Sequence, residues 1–289
     1  MIQSPPKLKI RAITEQDRQG LANLVHFERY IHRHLDWRAP LDWIGGSSFD
    51  VAENNGKLVA ALASPPDPPG VAWIRLFAVL SDFSISTAWN ELWTSVSAQL
   101  VEIDRNLIVA AIPLSKWFRS TLESSGFFQV DQVVVLLWET SQILPENRAS
   151  QFMIRIMKPE DLEAVELVDH AAFIPLWQFS PSGLEAGFQE SAFATVVENS
   201  DGIIAYQIST STSFGGHLAR LAVHPHYQNR GIGYALLQDV LKEFQRRGAR
   251  NVTVNTQLSN ISSLALYAKA RFHQTGEEYP VYQYRFGFP

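Results

Sequence analysis

The chain has 289 residues, 46% of them hydrophobic, with no cysteine and a formal net charge of -5. Without cysteine there is no disulfide, no thiolate nucleophile and no cysteine-based zinc site, and a mildly acidic balance offers no basic face for a nucleic-acid partner. The length predicts about two domains. No stretch approaches the roughly 18 apolar residues of a membrane helix, and the N-terminal residues Met1 to Lys7 lack a signal-peptide pattern. A cytoplasmic protein with no membrane partner is therefore expected.

Taken in order, the chain reads as one pattern written twice. Ile10–Asp17 matches Ile154–Asp161 at an offset of 144 (154 − 10). Val51, Glu53, Asn54 and Gly56 match Val196, Glu198, Asn199 and Gly202 at 145 or 146. Ala78-Val79 matches Ala222-Val223 at 144, and Ser125-Gly126-Phe127 falls opposite Ala270-Arg271-Phe272 at 145. Four matches in one order predict two domains, 1-141 and 151-289, joined by a linker at Gln142–Ser150.

Each copy opens with a short apolar strand, then helical periodicity, carried in the second copy by Leu162, Val165, Leu167 and Val168. A hairpin is predicted next, Ala192–Glu198 and Ile203–Ser209 around a turn at Asn199–Gly202. It is followed by a strand Leu218–Val223, a helix Tyr234–Arg247, a strand Val252–Thr256, a helix Ser262–Ala270 and a last strand near Tyr282–Phe286. The order β-α-β-β-β-α-β-α-β is a mixed α/β fold with a largely antiparallel start.

Gln228-Asn229-Arg230-Gly231-Ile232-Gly233 lies between that fourth strand and a helix whose apolar face is Leu236, Leu237, Val240, Leu241 and Phe244. The first N–H groups of a helix have no internal partner and attract anions. Glycines at 231 and 233 allow a sharp turn and close approach of phosphate oxygens, and Arg230 adds a charged donor. A dinucleotide fingerprint is disfavoured, because the spacing is not G-x-G-x-x-G and a hairpin precedes the strand. The bland reading is a tight strand–helix turn and nothing more.

These residues resemble the GNAT superfamily of N-acetyltransferases. Gln228, Gly231 and Gly233 meet the family's Gln/Arg-x-x-Gly-x-Gly/Ala signature. Asn260 followed seven residues later by Tyr267, then Arg271-Phe272, meets its second motif except that Arg271 replaces a glycine. The resemblance implies that acetyl-CoA is the co-substrate, with no metal, and that an amine attacks the thioester directly. It further implies that Leu221, Ala222 and Val223 pair with the pantetheine arm. Gln228, Asn229, Arg230, Gly231, Ile232, Gly233 and Tyr234 would hold the pyrophosphate, and Asn260 would contact the cofactor. Tyr267 is placed as the acid that protonates the CoA thiolate, which suits a phenol of pKa near 10. The alternatives are core packing for Tyr267 and a helix N-cap for Asn260.

No general base stands out. Glu198 closes a strand but has a counterpart in Glu53, so it fits a hairpin role; His217 and His224 flank the fourth strand, where a structural His or a solvated turn residue is the plainer reading. At an offset of 144, Gln228, Gly231 and Gly233 fall on Ser84, Thr87 and Trp89, and at 145 Tyr267 falls on Leu122. Trp89 is expected to crowd a phosphate and Thr87 to resist a left-handed backbone, so the first copy is read as degenerate. Seven of eight tryptophans, Trp37, Trp43, Trp73, Trp89, Trp93, Trp117 and Trp138, are assigned to that copy as core, interdomain face or pocket lining. The arrangement is similar to that of mycothiol synthase-like proteins.

The expected function is N-acetyl transfer from acetyl-CoA to a small-molecule or peptide amine in the C-terminal copy of a monomer or homodimer. The competing expectations are a non-catalytic acyl-CoA-binding sensor and an interaction module.

Overall fold

The structure is a computed structural model that describes residues 8–142, 152–212 and 215–287. Apart from Gln142, the expected linker lies outside these residues.

Two compact units are present. One comprises Met1–Val130 with Pro280–Pro289, the other Asp131–Tyr279. The division expected at 1-141 and 151-289 is therefore corrected at both ends. Strand β8 (Phe128–Glu139) follows the last helix of the first copy, yet Val133–Glu139 pairs antiparallel with β13 (Asn251–Gln257) of the second. Strand β14 (His273–Arg285) follows the last helix of the second copy, yet Tyr282–Arg285 pairs with β7 (Ile108–Ala111) of the first. Each copy thus completes its sheet with the other's final strand. Repeated copies make this exchange easy, because equivalent strands present equivalent edges.

The first unit contains a five-stranded antiparallel sheet in the order β1-β3-β4-β6-β2 (Lys9–Ala12, Phe49–Asn54, Lys57–Ala63, Leu76–Val79, Tyr30–Arg33). Strand β5 (Val71–Trp73) leaves that sheet to run parallel with β7. Helix α1 (Arg18–Phe27) packs Leu21, Leu24 and Val25 on one side. Helices α2 (Ile85–Ile103) and α3 (Lys116–Ser124) pack Trp89, Leu92, Phe118 and Leu122 on the other.

The second unit repeats the plan with β9 (Met153–Ile156), α4 (Leu162–Ala172), β10 (Phe193–Asn199), β11 (Gly202–Ser211), β12 (Gly215–Val223), α6 (Ile232–Arg246), β13 and α7 (Ile261–Lys269). One further helix, α5 (Pro181–Gln189), was not expected from the periodicity. Its start was legible: Ser180 accepts the N–H of Gly183 at 3.1 Å and Pro181 takes the first helical position. The hairpins match in detail. Both slip register at the same point, between Ala52 and Glu53 and between Val197 and Glu198. Both carry the same ion cluster: Arg11 joins Asp17 and Glu53, and Arg155 joins Asp161 and Glu198.

Trp138, assigned above to the first copy, is fully buried in the core of the second unit beside Leu241 and Phe244. Gly216 of β12 is required by that core: a Cβ there would come within 2.7 Å of the Phe244 ring. No helix among the described residues is long and apolar enough to cross a membrane.

Candidate active site

Strands β12 and β13 pair in parallel only from Gly215–Asn251 to Leu218–Val254. Beyond that point they part. Ala219 is skipped in the pairing of β12 with β11, where the register shifts beside Ile208. This bulge bends β12 away from β13. Leu221, Ala222 and Val223 then pair with Gln207, Tyr206 and Ala205 of β11 and have no ladder partner on the β13 side. The segment expected to meet the pantetheine arm therefore edges an open gap.

The chain turns from β12 into α6 through His224–Gly231. His224 N–H donates to Ile204 O at 2.9 Å, and the Gln228 side chain donates to Val223 O at 3.0 Å. Asn229 and Gly231 have φ of 61° and 87°. Gly231 is the N-cap of α6 and offers no side chain to close it, and the first helical bond is Ala235 N–H to Gly231 O. None of the described hydrogen bonds takes the N–H of Asn229, Arg230, Gly231, Ile232, Gly233 or Tyr234. Six consecutive free donors at a helix N-terminus form an anion cradle. A Cβ on Gly231 would meet nothing within 4 Å, so glycine serves the left-handed backbone there rather than a tight contact. A Cβ on Gly233 would lie 3.6–3.7 Å from Leu266, Val223 and Leu221. The first turn of α6 thus rests on the end of β12.

The matching turn of the first unit is closed. Counted from the helix caps, Ser84 rather than Thr87 stands opposite Gly231, because three residues are missing from the shorter loop. Ser84 Oγ accepts the N–H of Thr87 at 3.2 Å. Trp89 does not crowd this turn as expected; it is 1% exposed, packed in the core, and donates to Ser125 Oγ at 2.6 Å.

Tyr267 shares a packed cluster with Leu218 and Val254, the last residues at which β12 and β13 pair. It is 5% exposed, and its hydroxyl makes none of the described hydrogen bonds. Burial raises the phenol pKa, which keeps the hydroxyl protonated. A Schellman motif fixes its position. Arg271 N–H donates to Ala268 O at 2.9 Å, Phe272 N–H to Tyr267 O at 3.0 Å, and the two rings meet at 5.5 Å. Arg271 supplies the left-handed residue at φ 69°, the place Gly126 holds at 83° in the first unit. There Phe127 N–H donates to Leu122 O at 3.1 Å, so Leu122 occupies the position of Tyr267. Asn260 caps α7, its Oδ1 accepting Ser263 N–H at 3.1 Å, and its amide nitrogen lies 3.5 Å from Gln257 Oε1.

The base candidates are engaged elsewhere. Glu198 accepts from Arg155 Nε at 2.7 Å. His217 lies where β12 and β13 are still paired, with Nδ1 2.9 Å from Thr253 Oγ1; burial lowers its pKa. His224 Nδ1 accepts His226 N–H at 3.3 Å in the turn.

A polar network missed in the sequence lies on the α4 side of β12. Arg220 contacts Asp169 at 2.6 Å and donates to Trp177 O at 2.6 Å, between the rings of Phe173 and Phe179 at 3.7 and 4.2 Å. Tyr206 donates to the same carboxylate, and burial raises its pKa. The signal was a charge inside two apolar patterns, Asp169 beside Val168 and Arg220 within Leu218–Val223, since such charges need partners. In the first unit Leu76 stands at the place of Arg220, and the neighbouring Arg75 is buried and paired with Asp36 at 2.7 Å.

Comparisons with known proteins point to an acetyltransferase domain. The model of the Acetyltransferase (GNAT) family matches residues 162–272. The chain is 35% identical over 57 residues to the [ribosomal protein bS18]-alanine N-acetyltransferase of Escherichia coli (strain K12), covering 20% of this chain and 38% of that protein. It is 33% identical over 70 residues to N-alpha-acetyltransferase MAK3 of Arabidopsis thaliana, 24% of this chain and 37% of that one. The chain therefore spans less than half the length of these curated relatives. In fold it resembles a GCN5-related N-acetyltransferase from Sphaerobacter thermophilus, with TM-score 0.63 and 18% identity over 98% of this chain and 97% of that one. It also resembles a tandem GNAT protein from the clavulanic acid biosynthesis pathway, with TM-score 0.62 and 11% identity over 98% and 100%. The segment 162–272, which contains the open gap, the free helix N-terminus and Tyr267, belongs to the GNAT acetyltransferase family.

Proposed function

We propose that the second unit transfers an acetyl group from acetyl-CoA to an amine, and that the first unit has lost this activity. The carrying observation is the run of six free N–H donors at the start of α6, beside the gap between β12 and β13. Acetyl-CoA supplies an activated acetyl group as a thioester. The donors of residues 229–234 hold its pyrophosphate, the open edge of Leu221–Val223 takes the amide-bearing arm, and the Asn260 amide adds a contact from α7. Tyr267 Oη gives its proton to the sulfur as the C–S bond breaks and regains one that the amine releases. Ser84 closes the equivalent turn of the first unit, which removes its anion cradle.

The acceptor is an amine of a peptide or of a small molecule. The relatives named for acetylating a ribosomal-protein alanine and an N-terminal α-amine favour a peptide N-terminus. The engagement of Glu198 and His217 supports a second reading, an acyl-CoA sensor without turnover. Calorimetry with acetyl-CoA, followed by thiol release over a panel of amines and N-terminal peptides, separates the two. Binding with turnover supports the enzyme, binding without turnover the sensor, and absence of binding defeats both.

A further inference from the structure

The anion cradle has two flanks, and they differ in whether their cations are already engaged. On one, a cavity of about 340 Å³ is lined by Glu198, Tyr227 and Arg230 with Val197, Ile204 and Ile232. Tyr227 donates to Asp201, so two carboxylates stand on this side. Its cation is already engaged: Arg230 donates to His226 O at 2.9 Å and lies over the Tyr227 ring at 5.2 Å. Glu198 in turn holds Arg155, so a phosphate meets no unengaged cation on this side.

The other flank is built by α7. Lys269 Nζ lies 4.3 Å from the ring centroid of Tyr234. Tyr234 is in the first turn of α6 and supplies one of the free N–H donors. The ring is 5% exposed, so it is a rigid platform that holds the ammonium beside the cradle. Lys269 itself is exposed. Among the described residues it has no carboxylate partner, and neither does Arg271 two positions on. In a chain of net charge -5, an unneutralised cation beside a free helix donor makes a second positive locus separate from Arg230.

Coenzyme A carries a third phosphate, on the ribose 3′ oxygen, beyond the pyrophosphate. We infer that Lys269 binds this 3′-phosphate and makes the site selective for CoA over its 3′-dephospho form. The inference rests on the reading of residues 228–234 as the pyrophosphate cradle. Lysine suits the role as a point charge on a flexible stem, and its stem is steadied by the Tyr234 ring.

The test is calorimetric binding of CoA and 3′-dephospho-CoA to the full chain, as wild type, Lys269→Ala and Lys269→Arg. Wild type is expected to prefer CoA by about fivefold, as for an exposed charge-assisted contact. Lys269→Ala should weaken CoA to the level of dephospho-CoA and leave dephospho-CoA unchanged, and Lys269→Arg should restore the preference. Equal loss for both ligands, or a preference that survives in Lys269→Ala, overturns the assignment. A wild type that binds both ligands equally overturns it as well. Binding of neither ligand by wild type is a distinct result: it refutes the cradle reading itself, and this inference with it.

Discussion

Asp169 of α4 and Arg220 of β12 form a buried ion pair at 2.6 Å, with the carboxylate wholly inaccessible. The pair ties the helix to the strand at the residue before the open edge of Leu221–Val223. Asp169 also accepts the N–H of Phe179 at 3.0 Å and the hydroxyl of Tyr206. Asp169→Ala strands all three donors and is expected to destabilise the second unit by about 3–5 kcal/mol. Asp169→Leu combined with Arg220→Met should lose less, since no charge is left unpaired. Urea unfolding of the three proteins checks this, and a double variant as unstable as Asp169→Ala would contradict it.

Tyr267→Phe removes one oxygen from a buried ring and preserves its packing on Phe272. The expected result is a fall in kcat of about 10²–10⁴ with little change in acetyl-CoA affinity. Because burial raises the phenol pKa, the acid form persists in alkali, and a wild-type rate that fell in step with ordinary tyrosine ionisation would argue against the role. Thiol release against pH measures both points.

Gly231→Trp places an indole in the open space before α6 and forces a bulky residue into φ 87°. It should abolish acetyl-CoA binding and cost about 1–2 kcal/mol of stability. Calorimetry with a circular dichroism control decides the matter: unchanged affinity in a folded variant refutes the placement of the pyrophosphate.

Arg271→Gly restores the residue that the left-handed position favours. Relief of the φ strain outweighs the added chain entropy of glycine, and a gain of about 0.5–1 kcal/mol is expected. The position of Tyr267 is set by the same Schellman bonds, so kcat should hold. A thermal melt that shifts downward would show that Arg271 contributes more through its side chain than it loses through its backbone.

His32 and His34 carry a pH dependence in the first unit. His32 is buried against Phe118 at 4.1 Å with Nε2 3.1 Å from Ile74 O, and burial lowers its pKa from 6.5 to about 4. His34 shifts the same way, from burial first and then from the Arg75 charge. Between the folded and unfolded values the unfolded chain binds more protons. Stability is therefore full above the ordinary value and falls as the pH drops through that window. From pH 7 to pH 5 His32 alone accounts for a loss of about 2 kcal/mol. Urea titrations at the two pH values should show it, and His32→Gln should reduce the difference by about that amount, leaving the share of His34.

Much of the second unit was legible because its signals are local. The apolar face of α6, the glycine at its cap, the Asn260 cap of α7 and the hairpin turn all depend on residues a few positions apart. That the corresponding turn of the first copy differs was legible in outline, but the residue that makes the difference was misplaced. A constant offset put Thr87 and Trp89 opposite the glycines, whereas the loop is three residues shorter and Ser84 is the cap.

By itself the sequence determined that the chain is duplicated, that one copy has a glycine-bearing turn before a helix and an Asn–Tyr spacing that the other lacks, and that both copies are mixed α/β. These follow from periodicity, capping and spacing, which act over one or two turns of chain. Only the tertiary structure decided that β8 and β14 each complete the other copy's sheet, because exchange between equivalent strands leaves every local pattern unchanged. It alone decided that Arg220 meets Asp169 across 51 positions. A buried charge announces that it needs a partner, but packing chooses which one.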